Sequence, residues 1–346
     1  MSVPRADFGA VALPSGKVLL VGGLTSPTAA TAKVDLYDPA TNTMAAAAPM
    51  AAARSGHSAV LLPNGKVLVA GGVSNPNGGA ALASAELYDP GTDTWSAAAP
   101  MAEARAHHAA VVMGNSKVLV AGGDGGSGPA ARGSEIYDPG TNTWTSIVSV
   151  APRTHGPTAT VLNDGRVMIA NGLQQEVPMA WQSVEFYDPA RAQPSGAPTA
   201  TPYDRSYSTA ALLGDGRVIV AGGQLTYNPT GAVNTTAIYD PTKDVGNSGM
   251  PGWTSGPAMN VGHCHHTMTT LKSGVVLVVG GRCQSDSIAV AELLDPAATK
   301  WSLDRAMLAA RGNHTAVLLQ DGRVLVAGGF GTGGAVVDTT ELYTPA

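Results

Sequence analysis

The sequence predicts an all-β fold in which one four-stranded unit recurs seven times in a closed array. Three observations carry this. A Gly-Gly doublet closes an apolar run at Gly22-Gly23, Gly71-Gly72, Gly122-Gly123, Gly222-Gly223, Gly280-Gly281 and Gly328-Gly329, with Asn171-Gly172 as a seventh copy. A Tyr-Asp-Pro follows at Tyr37, Tyr88, Tyr137, Tyr187 and Tyr239, with Leu294-Asp295-Pro296 and Tyr343-Thr344-Pro345 as variants. The period is about 50 residues, the range of propeller and solenoid repeats. The chain has 43 Gly and only 13% charged residues, a composition that favours strands and turns.

Each unit divides into strands in order. "HSAVLL" runs through Asn64-Gly65 into "KVLVAGG", two β-rich runs joined by a dipeptide that tolerates positive φ. The same hairpin signal recurs at Ser15-Gly16, Asp164-Gly165, Asp215-Gly216, Ser273-Gly274 and Asp321-Gly322. A loop then leads to a third strand, as in "SAELYDP". "TDTWS" reads as the fourth, with Trp95, Trp144, Trp253 and Trp301 as packing aromatics. No linker separates the units, so residues 1–346 read as a single domain.

Composition excludes several function classes. A net charge of -5 gives no electrostatic reason to expect nucleic acid or an anionic membrane as partner. No apolar run reaches membrane-spanning length, and the first residues have no signal-peptide core, so the sequence carries no address.

Charged residues follow the repeat. An Arg precedes most innermost strands (Arg5, Arg54, Arg105, Arg153, Arg205, Arg311), and an acid stands two residues before the Tyr position (Asp35, Glu86, Glu135, Glu185, Glu292, Glu341). Unit 5 lacks the acid, having Ala237, and unit 6 lacks the Arg, having His263. If the acid of each unit pairs with the Arg of the next, one missing pair explains both losses. Glu341 would then meet Arg5 where the ring closes. A buried guanidinium needs such a carboxylate partner.

The combination of Gly-Gly, Tyr, spaced Trp and Arg-x-x-His over seven copies resembles the kelch repeat. The resemblance covers nearly the whole chain. It implies a seven-bladed β-propeller of four-stranded blades, the innermost strand of each lining a central channel. The last unit has no fourth-strand sequence after Tyr343, so blade 7 is expected to have three strands or to take its outer strand from a flanking segment.

All eight histidines lie at the starts of innermost strands, so one channel mouth should gather them. His57, His108, His266 and His314 occupy the kelch pattern's own His position. There they serve as structural hydrogen-bonding groups or as the lining of a ligand pocket. His107, His155, His263 and His265 are off that pattern and are the candidate metal ligands, since imidazole is the commonest neutral ligand for Cu, Fe or Zn. Asn171 and Arg282 join the candidate ligand-binding set, and the loops after the doublets add Asp124, Gln174, Trp181, Gln224 and Tyr227. Cys264 and Cys283 fall opposite each other if Ser273-Gly274 is a two-residue turn. They form a candidate thiol pair, as a disulfide, as free thiols or beside a metal.

Tyr207 in "DRSYST" stands at the position of His107 and His265 and is the candidate catalytic residue. Here the chain is similar to the galactose oxidase family, copper enzymes with a seven-bladed kelch propeller. Arg205-Ser206-Tyr207 matches that family's Arg-x-Tyr. The chain departs from it at Ser208, where the family has His, at Gly156, where the family has the cross-linked Cys, and in having no second Arg-x-Tyr. Two readings follow. One is a propeller that binds a small molecule, glycan or peptide at its His-rich mouth, with or without a metal ion. The other is a metal-dependent enzyme, an oxidase among the options, with its site in the same mouth.

Overall fold

The computed structural model describes residues 1–128, 133–147, 156–172, 183–194, 199–200, 202, 205–225, 228–243, 252–283 and 286–345. The chain forms a seven-bladed kelch-type β-propeller. The innermost strands Gly9–Ala12, Ser58–Leu61, Ala109–Val112, Thr158–Val161, Thr209–Leu212, Thr267–Thr270 and Thr315–Leu318 each touch the next, and the last touches the first. Blades 1, 2, 3, 5 and 6 are antiparallel four-stranded meanders. Blade 4 adds a short fifth strand, and blade 7 ends at its third strand, Thr340–Tyr343.

Burial explains the sequence pattern. The second strands (Val18–Val21, Val67–Ala70, Val118–Ala121, Val167–Ala170, Val218–Ala221, Val276–Val279, Val324–Ala327) are buried at every residue. A strand covered on both faces by neighbouring blades reads as a continuous apolar run rather than an alternating one. Each buried Val or Leu contributes about 1.5–3 kcal/mol against exposure. The innermost strands of blades 2, 3, 6 and 7 are half-buried throughout, as befits strands that line a channel.

The hairpin turns are one residue longer than the dipeptide reading supposed. Lys17 O accepts from Leu13 N at 2.8 Å, and Gly16 N donates back to Leu13 O at 2.9 Å, enclosing three residues that end in Gly16 at φ 84. Blade 6 repeats this with Leu271, Val275 and Gly274. Its ladder pairs Thr270 with Val276. Extended to the mouth, that register sets Cys264 against Arg282 rather than against Cys283, and Arg282 N donates to Cys264 O at 2.7 Å. Cys264 is disulfide-bonded.

The ion pairs run within blades, which corrects the pairing of each acid with the next unit's Arg. Arg5 meets Asp35 (2.8 Å), Arg54 meets Glu86 (2.8 Å), Arg105 meets Glu135 (2.8 Å) and Arg311 meets Glu341 (2.6 Å). Glu341 therefore does not close the ring with Arg5. The guanidinium lies over its own Gly-Gly doublet and also donates to the carbonyl of that doublet's first glycine, as Arg54 does to Gly71 O at 2.8 Å. Ala237 and His263 are separate replacements. Arg205 turns to Thr235, donating to its carbonyl at 2.8 Å and its hydroxyl at 3.1 Å. His263 takes the Arg place itself, bonding Gly280 O at 2.6 Å and Glu292 at 3.2 Å.

Candidate functional site at the channel mouth

Two residues after the structural Arg of blades 1, 2, 3, 5 and 7, and after His263 in blade 6, the backbone turns left-handed. Asp7, Gly56, His107, Tyr207, His265 and Asn313 have φ between 50 and 62, and Gly156 holds the same place in blade 4 with φ 62. This turn directs each amide at the preceding blade. Gly56 N donates to Asp7 O (3.1 Å), His107 N to Gly56 O (2.7 Å), Gly156 N to His107 O (3.2 Å), His265 N to Tyr207 O (3.3 Å), Asn313 N to His265 O (3.0 Å) and Asp7 N to Asn313 O (2.9 Å). Main-chain hydrogen bonds thus join six of the blade junctions at one level around the axis, with one residue from each blade at that level. Only glycine adopts this conformation freely. A side chain there costs about 1–2 kcal/mol, so the two histidines and the tyrosine sit against a local gradient.

The side chains of this rosette meet. His107 Nδ1–H donates to Asp124 Oδ2 (2.7 Å) and Nε2–H to Asp7 Oδ2 (3.1 Å). Burial opposes its charge, but the two carboxylates outweigh it and raise its pKa to about 10. Asp7 is held below the usual carboxylate range: burial pushes it up, and His107 more than compensates. Asp124, fixed by Gly126 N on its other oxygen, belongs to the loop after the blade 3 doublet. Tyr207 and His265 stack, with ring centroids 3.9 Å apart and planes at 29°. Asn313 Nδ2 donates to His265 Nδ1 (3.2 Å), which places the proton of the neutral imidazole on Nε2. Burial lowers the His265 pKa to about 4, so it is neutral at pH 7. Burial, with Asp124 and Asp7, raises Tyr207. Its hydroxyl has no hydrogen-bond partner among the described residues.

The other histidines serve the blades. His108 bonds Ser58 Oγ (2.8 Å), His266 bonds Thr209 Oγ1 (2.7 Å) and His314 bonds Thr267 Oγ1 (2.9 Å), each reaching the preceding blade. His57 faces Gly9, where its sisters find a hydroxyl. Burial pushes His57 and His314 down to about 3 and His266 well below its ordinary value. They sit as neutral wedges between blades, as the structural alternative for these positions expects. The doublets explain why. A Cβ at Gly22, Gly71, Gly222 or Gly280 would lie 2.7–2.8 Å from the Cε1 of the next blade's imidazole. Asn171 breaks the rule where the next blade has Ser208 instead, and its Nδ2 donates to Ser208 Oγ at 2.9 Å, both residues buried. Arg282 lies with its guanidinium carbon 4.6 Å from the Phe330 ring centroid.

Of the four predicted metal ligands, the structure brings His107 and His265 into the rosette. His263 is fully buried in the Arg place, where it meets Glu292. His155, like Gln174, Trp181 and Tyr227, lies outside the described residues. Asp7, Gly56 and Asn313 went unread in the sequence, although the Arg-x-X spacing that marks Tyr207 and His107 also picks them out.

The KLHDC2/KLHL20/DRC7 Kelch-repeats domain matches residues 8–223. The chain belongs to the kelch-repeat family. No curated protein matches the sequence. Among solved structures, this kelch propeller is similar to a novel fungal alcohol oxidase with catalytic diversity among the AA5 family, in complex with copper. The TM-score is 0.76 at 20% identity, covering 99% of this chain and 75% of that one. At that identity the likeness speaks for the fold.

The copper in that relative invites a test of fit here. Both ring nitrogens of His107 are taken by carboxylates and Nδ1 of His265 by Asn313. No group of three or more His, Cys, Asp or Glu that could hold a metal ion occurs among the described residues. The rosette as built does not fit a resident Cu, Fe or Zn ion, and no chemical step is derived through one.

Proposed function

We propose that this kelch propeller is a binding module whose mouth rosette takes up a small polar ligand: a small molecule, a glycan or a peptide group. The observation that carries the reading is the placement of His107, Tyr207 and His265 in a left-handed conformation that glycine would adopt at less cost. Such strain, kept at one level around the axis, points to side chains retained for what they contact. Two faces of the stack are already filled, since a Cβ at Gly156 would lie 3.1 Å from Tyr207 Cδ1 and His265 covers the ring. Recognition therefore falls to polar edges: the Tyr207 hydroxyl, His265 Nε2–H and the Asp7 carboxylate. Such a set orients a ligand that both donates and accepts hydrogen bonds.

Saturation-transfer NMR with a panel of monosaccharides, oligosaccharides and short peptides tests this directly. Saturable binding by one class, abolished in Tyr207→Phe combined with His265→Ala, is the expected result. Binding that survives the double variant places the site elsewhere. Calorimetric titration of untagged protein with copper(II) addresses the enzyme reading. Stoichiometric uptake lost in His265→Ala would favour a metal-dependent enzyme over the module.

A further inference from the structure

Arg282 stands half-buried in the loop after the blade 6 doublet. Arg5, Arg54, Arg105 and Arg311 each meet a carboxylate, and Arg205 meets Thr235. Among the described residues, Arg282 has neither an ion pair nor a side-chain hydrogen bond. Its Nε is covered, like that of Arg5, so the two terminal nitrogens are the part left to meet a partner.

The side chain is nonetheless held in a seat. Its guanidinium carbon lies 4.6 Å from the ring centroid of Phe330, a buried residue of the blade 7 loop. Gly312 makes the room. A Cβ there would collide with the Cβ of Arg282, and the backbone of Gly312 is not left-handed, so space rather than conformation asks for glycine. Blades 1, 2, 3, 5 and 6 have a side chain at this place: Ala6, Ser55, Ala106, Ser206 and Cys264. A Cβ on Gly334 would press on Arg282 Nη2 at 3.3 Å. Buried Ser287 donates to Phe330 O at 2.7 Å and to Gly331 O at 3.3 Å, tying the blade 6 loop to the blade 7 loop. Holding so long a side chain in one arrangement costs up to about 2 kcal/mol of conformational entropy. One partly exposed cation–π contact supplies about 0.5–1 kcal/mol. The stacking alone does not offset the ordering.

The seat adjoins the rosette. Asn313, which bonds His265, follows Gly312 directly. The charge of Arg282 reaches His265 as well: burial first, then His107 and Arg282, hold that imidazole neutral against Asp7. We propose that Arg282 anchors the carboxylate of the mouth ligand, which makes that ligand a small organic acid. The proposal rests on the binding-module reading of the rosette and adds the chemical class. The planar fork of a guanidinium matches a carboxylate with two parallel hydrogen bonds. One guanidinium also balances a carboxylate's single charge. A phosphate dianion would bring a second charge into a mouth that already holds Asp7 and Asp124. The uncharged polar groups of the acid then fall to Tyr207 and His265.

Sodium D-glucuronate and its uncharged twin D-glucuronamide are suitable probes, read by saturation-transfer NMR. The acid should saturate, and the amide should bind about tenfold more weakly, the worth of one charge-assisted hydrogen bond. Arg282→Gln should abolish that preference, with the melting temperature as the control for folding. Arg282→Lys, which keeps the charge but not the fork, should retain part of it. Failure of glucuronate to bind, equal binding of acid and amide, or a preference that survives Arg282→Gln overturns the proposal. So does inorganic phosphate that displaces glucuronate at equal concentration, since the seat would then take any anion. Tyr207→Phe combined with His265→Ala separates this proposal from the reading it rests on, and should weaken acid and amide alike. If the acid binds that double variant at full strength but not Arg282→Gln, the rosette reading fails and the Arg282 seat stands. If neutral ligands bind the rosette and no acid is preferred, the seat fails and the rosette stands.

Discussion

His107 bonds Asp7 across 100 residues of chain, and it does so by passing over Gly56. The imidazole comes from blade 3 and the carboxylate from blade 1, with 3.1 Å between Nε2 and Oδ2. Blade 2 lies between them and contributes no side chain at that level. A Cβ on Gly56 would lie 2.6 Å from His107 Nε2. The glycine is thus required twice, for its φ of 62 and for the room it leaves.

Gly56→Ala should lower stability by about 1–2 kcal/mol from the left-handed backbone alone, and by more from the clash with His107. Urea denaturation of the single variant and of Gly56→Ala with His107→Ala separates the two contributions. In the double variant only the backbone part should remain. An equal loss in both backgrounds would mean that His107 does not lie over Gly56.

The His107 ion pair should show in the pH dependence of stability. Its folded pKa of about 10 lies above the unfolded value near 6.5, so its contribution is fully present below about 6.5 and fades as pH rises through 10. Melting temperatures of the parent and His107→Gln should differ most near pH 6 and converge above pH 10. A difference independent of pH would deny the charge. The side chain is 36% exposed, so solvent screening reduces the effect.

His263 occupies an Arg place opposite buried Glu292. His263→Ala leaves that buried carboxylate without its imidazole partner and should lose about 3 kcal/mol or more, whereas His263→Arg restores the pair of the sister blades and should be tolerated. Burial opposes the charge of Glu292, but the bonds from His263, Asn260 and Val261 hold its pKa at about 2. The stability this carboxylate adds is present above its unfolded value near 4.5 and lost as pH falls through 2. Chemical denaturation at pH 7 and at pH 3 for the three proteins checks both statements.

Asn171 and Ser208 should behave as one unit. Ser208→His alone drives an imidazole toward the Asn171 side chain and should destabilise by about 1–3 kcal/mol, as overpacking does. Combined with Asn171→Gly it recreates the glycine–imidazole fit of the other junctions and should recover most of that loss. A double-mutant cycle with no coupling would show that the two side chains do not share the space.

Much of the propeller was legible because its constraints repeat. The doublets recur because the first glycine faces a ring from the next blade, an imidazole at Gly22, Gly71, Gly222 and Gly280 and Phe8 at Gly328, and the apolar run before them recurs because that strand is buried on both sides. The repeating Arg and acid were visible too, yet the sequence suggested the wrong partner. Along the chain the acid of the blade before stands nearer to each Arg than the acid of its own blade, so sequence proximity favours the wrong partner. Only the reach of the guanidinium over its own doublet decides between them. The Cys264 register failed for a similar reason, since a third turn residue shifts every pairing by one.

By itself, the sequence determined the strands, the sevenfold repeat and the gathering of histidines at one end of the innermost strands, because local pattern and periodicity suffice for those. Tertiary structure decided which histidines meet what. His57, His108, His266 and His314 became wedges between blades, His263 a substitute for Arg, and His107 and His265 members of a rosette with Asp7, Tyr207 and Asn313. The reason is closure: residues 100 positions apart become neighbours only when the blades complete a circle, and the left-handed turn after each Arg then aims them at one another.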